Sequence, residues 1–446
     1  MNSKSKLKLL VGILTITTIF SFNNTIIGLT EADSGLIKYI YPSGDPSGIT
    51  DTVNIQAAFD EASAFGSGST VILSEGVFLI AHPILVVDFD GTFKGQGKDK
   101  TIVMNYFDEN TPFPLEPRYY NYPLYFPSFF SFHLENKGIN PENPANLRIA
   151  DMTLKTIGHT EYHFWGGWVR VDYSFWNVFQ VDIYNNYYDV KFNGIEIKGE
   201  YVTNPDGHYV PNLWAGISVW DRGPSTSIKN CYVENCMWPF EIGYTPNSGI
   251  KITENTIKNS FAGIRFISNY HLDVLISQNT FLNSPAFWTL GDEGGLYSIK
   301  HNDIIMPEDS YMAGIEAAGF YSFESPTLII SHNKIHSEDS LFFGPIYMEG
   351  IHDSTISHNI ITGRGPAAMY LGVPVQTPGV PSSGLKLLMN DVENWEVADY
   401  TGSLGVFEGV APIWLGTGTN NYLVIGRNAK ETVFDQGTDN TIIDLP

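Results

Sequence analysis

One short phrase recurs through the second half of this chain: "SIKNCYVEN", "KITENTIKN", "LISQNTFLN", "SIKHNDII", "IISHNKIHS", "TISHNIITG". Set in register, Cys231, Asn255, Asn279, Asn302, Asn333, Asn359 and Asn390 share one column, at steps of 24, 24, 23, 31, 26 and 31 residues. An apolar residue stands three positions earlier in every copy (Ile228 to Leu387) and another two positions later (Val233 to Val392). Periods of this size belong to solenoids. Alternation inside each copy marks strands rather than helices. Three short strands joined by turns use up such a period, and stacked coils pair strand on strand about 4.8 Å apart. The Asn column is expected at a turn, its backbone left-handed and its side chain bonded to the equivalent residue of the next coil.

The pattern extends in both directions. Upstream, "NLRIADMTLKTIG" and "WNVFQVDIYNN" fit the apolar spacing with Met152 and Val181 in the turn slot, and "NNYLVIGRNAKETVFDQGTDNTIID" supplies terminal strands. A solenoid needs its open edges covered. "TDTVNIQAAFDEASAFGSGS" reads as an N-terminal capping helix, started by Asp51 or Thr52, with Ile55, Phe59 and Ala62 on one face and Gly66 to Ser69 at its end. The expected fold is all-β, a right-handed single-stranded parallel β-helix with an N-terminal capping helix. It occupies residues 33–446 as one domain: a cap at 33–70, an aromatic and Pro-rich insertion at 106–145, a second insertion at 199–213, and C-terminal coils at 401–446.

The stretch "DTVNIQAAFDEASAFGSGSTVILSEGVFLIAHPILVVDFDGTFKGQGKDKTIV" resembles the opening of pectate-lyase-like right-handed parallel β-helix proteins, and the Asn phrases resemble their repeats. The resemblance covers most of residues 33 to 446. It implies the fold and, by association, a sugar polymer as partner, since members include lyases, hydrolases and epimerases of polysaccharides as well as surface proteins. The signatures of particular branches are missing. There is no set of Asn-Thr-Asp, paired Asp-Asp and Gly-His-Gly, no Trp-Ile-Asp-His and no Asp-Pro-His. No catalytic residue is carried over from the family.

Lys4, Lys6 and Lys8 precede the apolar run "LLVGILTITTIF", which is the anatomy of a secretory signal peptide over residues 1–32. The run is short for a spanning helix, and nothing later is long and apolar enough to cross a membrane. The expected location is outside the cell, secreted or at the cell surface. A formal net charge of -23 argues against nucleic acid as a partner, because phosphate has to be met by a basic face. Cys231 and Cys236 lack disulfide or metal-ligand spacing and read as buried free thiols. No cofactor and no metal site is expected.

The strands that follow the turns read "GIEIK", "AGISVW", "PFEIGY", "AGIRFI", "AFWTL", "AGIEA" and "PIYMEG". If the first apolar residue of each points inward, the next points outward. That outward row is Glu196, Ser218, Glu241, Arg265, Trp288, Glu316 and Tyr347, with Trp220 nearby. Aromatic rings beside carboxylates and an Arg suit sugars, whose apolar faces stack and whose hydroxyls need hydrogen-bonding partners. Glu241, Arg265, Trp288, Trp220 and Tyr347 are therefore candidate binding residues. An ordinary exposed Glu241–Arg265 ion pair is the competing explanation. Glu241 and Glu316 stand three coils apart, about 14 Å, too far for an acid–base pair. Asp292 or Glu293 beside Glu316 is the candidate catalytic set, with Arg265 or His271 as bases under lyase or epimerase chemistry. The expected function is binding or cleavage of an extracellular polysaccharide, hydrolysis fitting better than elimination. The alternative is a non-catalytic surface or envelope scaffold. One position before the Asn column, His301, His332 and His358 should form an outward ladder.

Overall fold

The computed structural model describes residues 35–105, 128–157, 177–184, 186–203, 209–221, 225–246, 248–308, 312–319, 324–339, 344–372, 381–398 and 411–445. The expected signal segment, the start of the expected insertion (106–127) and the aromatic stretch His159 to Tyr173 lie outside the described residues.

Twelve strands form one all-parallel sheet in chain order. They are Ile84–Val87 (β1), Ser128–Leu134 (β2), Asn177–Ile183 (β3), Ala215–Asp221 (β4), Trp238–Gly243 (β5), Ile264–Ile267 (β6), Phe287–Leu290 (β7), Ile315–Ala318 (β8), Ile346–Glu349 (β9), Met369–Leu371 (β10), Ile413–Leu415 (β11) and Val433–Asp435 (β12). Between them the chain adds strands to a second sheet, also paired in parallel. Strand order equal to chain order, with every ladder parallel, is what coiling around one axis produces. The pair Tyr201–Thr203 and Tyr209–Pro211 departs from this as an antiparallel hairpin, within the segment expected as an insertion. Ser128–Leu134, swept into the 106–145 insertion by the prolines before it, is instead the regular strand β2, pairing with β1 and β3.

Inside the coils, Ile228, Ile252, Ile276, Ile299, Ile330 and Ile356 stack, as do Val233, Ile257, Phe281, Ile304, Ile335 and Ile361, all buried. The earliest coils are filled by aromatic rings. Phe59 lies edge-on to Phe89, Phe93, Phe130 and Phe132 at 5.0–6.3 Å between centroids. Phe59 comes from the helix Ile49–Phe65 (α1), which begins two residues before the expected Asp51. Asp51 and Thr52 instead serve the first turn: Asp51 accepts from the Ser43 and Leu79 N–H groups, and Thr52 from that of Ala81. Gln56 donates to the Leu85 carbonyl and accepts from the Leu85 N–H, so an amide side chain bonds the first strand of the sheet.

The Asn column is a buried hydrogen-bond ladder. The Asn255 backbone N–H and Nδ2 both donate to Asn279 Oδ1 at 3.0 Å, and Nδ2 also donates to the Ile228 carbonyl. The pattern repeats through Asn279, Asn302, Asn333 and Asn359 to Asn390. From Asn279 to Asn359 each carboxamide oxygen accepts two bonds and each amide donates two, so these polar groups are satisfied inside an apolar cylinder. The left-handed residue is the one before each Asn: Asn230, Glu254, Gln278, His301, His332, His358 and Met389 have φ of 54–59°. The Asn side chains are thus freed to point inward. In the earlier coils the column continues as Met152, Ile195 and Cys231, buried apolar side chains. Val181 does not belong to it; it lies in β3 on the other sheet.

His301, His332 and His358 are exposed and stacked, with ring centroids 5.1 and 5.0 Å apart. His332 and His358 lie face to face, 4° between planes, and His301 is tilted by 30° from His332. Cys231 and Cys236 are buried free thiols. Among the described residues no helix is long and apolar enough to cross a membrane.

Candidate functional site

The outward row of the sheet β1–β12 runs, strand to strand, through Ser131, Gln180, Ser218, Glu241, Arg265, Trp288, Glu316, Tyr347, Tyr370 and Trp414. From Ser218 to Tyr347 it is the row expected from the strand phrases. Glu196 is not in it: that residue pairs with Thr153 and Tyr232 on the other sheet, and its carboxylate accepts from the Thr153 hydroxyl. Its place is taken by Gln180.

The row is less open than a solvated sheet face. Glu241 and Glu316 are 2% and 1% exposed, and Ser218 and Tyr347 are fully covered. Trp220, Arg265 and Trp288 keep partial exposure. Arg265 NH1 donates to Glu241 Oε1 at 2.5 Å, and Ser218 Oγ donates to Glu241 Oε2 at 3.2 Å. Trp220 Nε1 donates in turn to Ser218 Oγ. The Arg265 guanidinium carbon sits 4.8 Å from the Trp238 ring centre and 5.3 Å from that of Trp288. Two indoles and a carboxylate thus hold the cation, an arrangement more closely coupled than an exposed ion pair, with desolvation of Glu241 opposing part of the attraction. Burial pushes the Glu241 carboxyl above its ordinary range, against the opposing pull of Arg265 and the Ser218 hydroxyl.

Trp288 Nε1 donates to Glu316 Oε1 at 3.0 Å, so the ring that flanks Arg265 also orients the next carboxylate. On β9 the Tyr347 hydroxyl donates to Glu349 Oε2. Glu316 lies opposite Tyr347, and Ala318 lies opposite Glu349, which places the two glutamates on adjacent strands two residues apart. At about 4.8 Å between strands and 3.3 Å per residue, their Cα atoms are about 8 Å apart. Both point away from the core, and both are covered. Sequence reasoning missed Glu349 because it took one residue per strand. The phrase "PIYMEG" carried the signal two positions beyond Tyr347.

The other two expected catalytic carboxylates stand elsewhere. Asp292 faces the interior turn. Its Oδ1 accepts from the Asn269 backbone and side-chain amides, and its Oδ2 from the Thr289 and Tyr297 hydroxyls. It ends a second, shorter ladder, Thr245–Asn269–Asp292. Burial raises its carboxyl above the ordinary range, against the pull of those donors. Glu293 is half-buried at the start of the strand Glu293–Lys300, opposite Tyr270 on the other sheet. Neither meets Glu316 across the row. His271 is an exposed left-handed residue on that same sheet, so it does not join the row either.

At the other end of the row lies a polar group that sequence reasoning passed over. His133 is opposite Asp182, which is opposite Trp220. Asn177 Nδ2 donates to Gln180 Oε1, and Gln180 Nε2 donates to Asp182 Oδ1, each at 2.6 Å. The His133 ring bonds Glu135 at 2.7 Å. His133 and Glu135 fell inside the expected insertion 106–145, and Gln180 and Asp182 in a phrase aligned to the turn column through Val181. Among the described residues no group of three or more His, Cys, Asp or Glu side chains is placed to hold a metal ion.

The stacked coils, parallel ladders and interior amide column fit one architecture. The fold is a parallel β-helix. The A-module of a mannuronan C-5 epimerase from Azotobacter vinelandii is similar at a TM-score of 0.50 and 12% identity, covering 89% of this chain and 95% of that one. A variant of DFA-IIIase from Arthrobacter chlorophenolicus, in complex with DFA-III, is similar at a TM-score of 0.51 and 12% identity, covering 91% and 98%. No family model and no curated protein matches the sequence. At such identities the likeness carries the β-helix and says nothing of individual side chains.

Proposed function

We propose that this β-helix is an exported protein that binds and hydrolyses a neutral glycan on the outward face of the sheet β1–β12, with α1 as its N-terminal cap. The observation that carries the reading is the pair Glu316 and Glu349, two covered glutamates on one face whose Cα atoms stand about 8 Å apart. Side chains leaving these positions in parallel would carry their carboxyl groups at a similar separation, and a mechanism with water between acid and base requires about 6.5–9.5 Å between them. One carboxyl protonates the leaving glycosidic oxygen. The other takes a proton from water, whose oxygen forms the new bond to the anomeric carbon. Because both acids are covered, a sugar reaching them has to open the surface above, starting from the exposed edges of Trp288 and Arg265. The structural neighbours, a mannuronan C-5 epimerase and a DFA-IIIase, lend support as carbohydrate-active β-helix enzymes.

Neutral substrate is favoured because the one Arg of the row is already matched by Glu241, leaving no unmatched cation in that row, among the described residues, for a uronate. The scaffold reading draws on the same fact, together with the saturation of Asp292, since both leave carboxylates occupied with holding the wall. The deciding experiment incubates the protein with a polysaccharide panel and measures new reducing ends and unsaturated-uronate absorbance. Hydrolysis predicts reducing ends without absorbance, falling by at least about 100-fold in Glu316→Gln and in Glu349→Gln. Absorbance from a uronate polymer, or activity that survives both substitutions, would overturn the assignment.

A further inference from the structure

The acidic character of the chain is not evenly spread. On the second sheet, the strands Gly91–Lys94, Ala145–Lys155, Tyr188–Lys198, Ser225–Lys229, Gly249–Thr253, Tyr270–Ser277 and Glu293–Lys300 stack in that order. Their interior residues are flanked on either side by an outward row. One row runs from Thr92 through Arg148, Lys191 and Lys251 to Ser298. The other runs from Lys94 through Lys229 to Lys300. Neither row contains an Asp or Glu over these strands, and the remaining positions are small, polar or Leu. This occurs in a chain with 48 acidic and 25 basic residues.

All six cations are exposed or half-exposed. Lys229 meets Glu254 at 3.0 Å and Lys191 approaches Asp189 at 3.8 Å, both acids standing outside the two rows. Among the described residues, no carboxylate lies within ion-pair distance of Lys94, Arg148, Lys251 or Lys300. Along the axis, Arg148 and Lys191 are one coil apart, Lys191 and Lys251 two, and Lys94, Lys229 and Lys300 three each, at about 4.8 Å per coil. The charges therefore form a straight strip about 29 Å long on a flat wall.

We infer that this strip binds a linear polyanionic glycan, laid along the solenoid axis. Its composition separates that partner from others. Protein interfaces concentrate aromatic, Met and Arg anchors and are poor in Lys; here five of the six cations are Lys and the two rows hold no aromatic ring. A membrane surface would call for apolar side chains to enter it, and the rows offer Leu275 alone. Flexible ammonium groups at a repeating interval suit a chain with repeating charge. The strip lies on a different sheet from the proposed glycan-cleaving row and does not depend on it.

The test measures binding of fluorescently labelled dextran sulfate and hyaluronate to the whole protein across a salt series, with neutral dextran as the blank. The wild type should bind at low salt with affinity falling steeply as salt rises. The triple variant Arg148→Ser, Lys251→Ser, Lys300→Ser should weaken binding at least tenfold and flatten the salt dependence, while Lys334→Ser on the neighbouring strands should change nothing. An unaltered melting temperature in the triple variant shows that its wall is intact. The proposal fails if neither polyanion binds, or if the triple variant binds within twofold of wild type. It also fails if duplex DNA or anionic vesicles bind more tightly at the same salt, or if light scattering shows self-association that the triple variant abolishes. None of these outcomes alters the reducing-end assay of the other face.

Discussion

Replacing Asn302 by Ala tests the interior ladder at its middle. Its Oδ1 accepts from the Asn279 backbone N–H and from Asn279 Nδ2, and its own Nδ2 donates to the Ile276 carbonyl and Asn333 Oδ1. The variant leaves two buried donor hydrogens of Asn279 and the Ile276 carbonyl without these partners. Asn333 Oδ1 keeps the bond from the residue 302 backbone. An unsatisfied buried polar group costs about 1–3 kcal/mol. A carbonyl has a second lone pair and suffers less, so the expected loss is about 3–6 kcal/mol. The control is built into the same coils: Asn283 Nδ2 donates to Asn259 Oδ1 at the same 3.0 Å, but on the exposed surface. Asn283 is left-handed, so Asn283→Gly loses the surface bond and relieves the backbone, for a net change within about 0.5 kcal/mol. Both are read by urea titration followed by circular dichroism. Solenoids can open coil by coil, so native-state hydrogen exchange of the Asn279 amide provides the local reading. A cost for Asn302→Ala below about 1 kcal/mol, or equal to that of Asn283→Gly, would refute the view that burial makes this ladder matter.

Asp292 gives a pH dependence. Its folded carboxyl is raised above the unfolded value near 3.8, so the folded chain binds the proton more tightly and stability falls as pH rises from about 4 through the folded value. Asp292→Asn should flatten that part of a melting-temperature profile, since Thr289 and Tyr297 hydroxyls can turn to accept from an amide; a parallel profile for wild type and variant contradicts this. Glu254→Gly should stabilise by up to about 1 kcal/mol, because a left-handed φ of 59° suits Gly and the lost surface pair with Lys229 contributes little, as a denaturant midpoint would show. Trp288→Ala should weaken glycan binding in a titration more than tenfold while lowering the melting temperature modestly, since its ring is only partly covered; a purely structural Trp288 would show the reverse.

The regularity of the chain decided how much could be read from it. The column from Cys231 to Asn390 was legible because every coil must bend and be satisfied at the same interior point, and only Asn serves both sides of that bond. The left-handed residue was misplaced by one, because tolerance of that conformation was credited to Asn when the ladder requires its side chain to point inward. The outward row could be drawn from Ser218 onward, where each phrase quoted is a strand of the sheet β1–β12. It failed at Glu196, where Ile195 fills the turn slot and "GIEIK" imitates a strand of the other sheet. Asp292 was expected beside Glu316 as a catalytic carboxylate, because it closely follows the outward residue Trp288 on the coil before. Both amides of Asn269 and the hydroxyls of Thr289 and Tyr297 make an interior place for it, and such convergence of three separate residues is invisible along a single chain.

The amide column also fixes where the chain can change length. Successive rungs are 24, 23, 31, 26 and 31 residues apart in sequence, yet every amide-to-amide bond is 2.9–3.0 Å. Alignment is therefore maintained by contact between neighbouring coils and not by counting residues. The longer steps, Asn302 to Asn333, Asn333 to Asn359 and Asn359 to Asn390, are those that contain the strands carrying Glu316, Glu349 and Tyr370. The wall can stay constant while its furnishings vary, so new specificity can be added to this face one loop at a time without any coil having to be refitted.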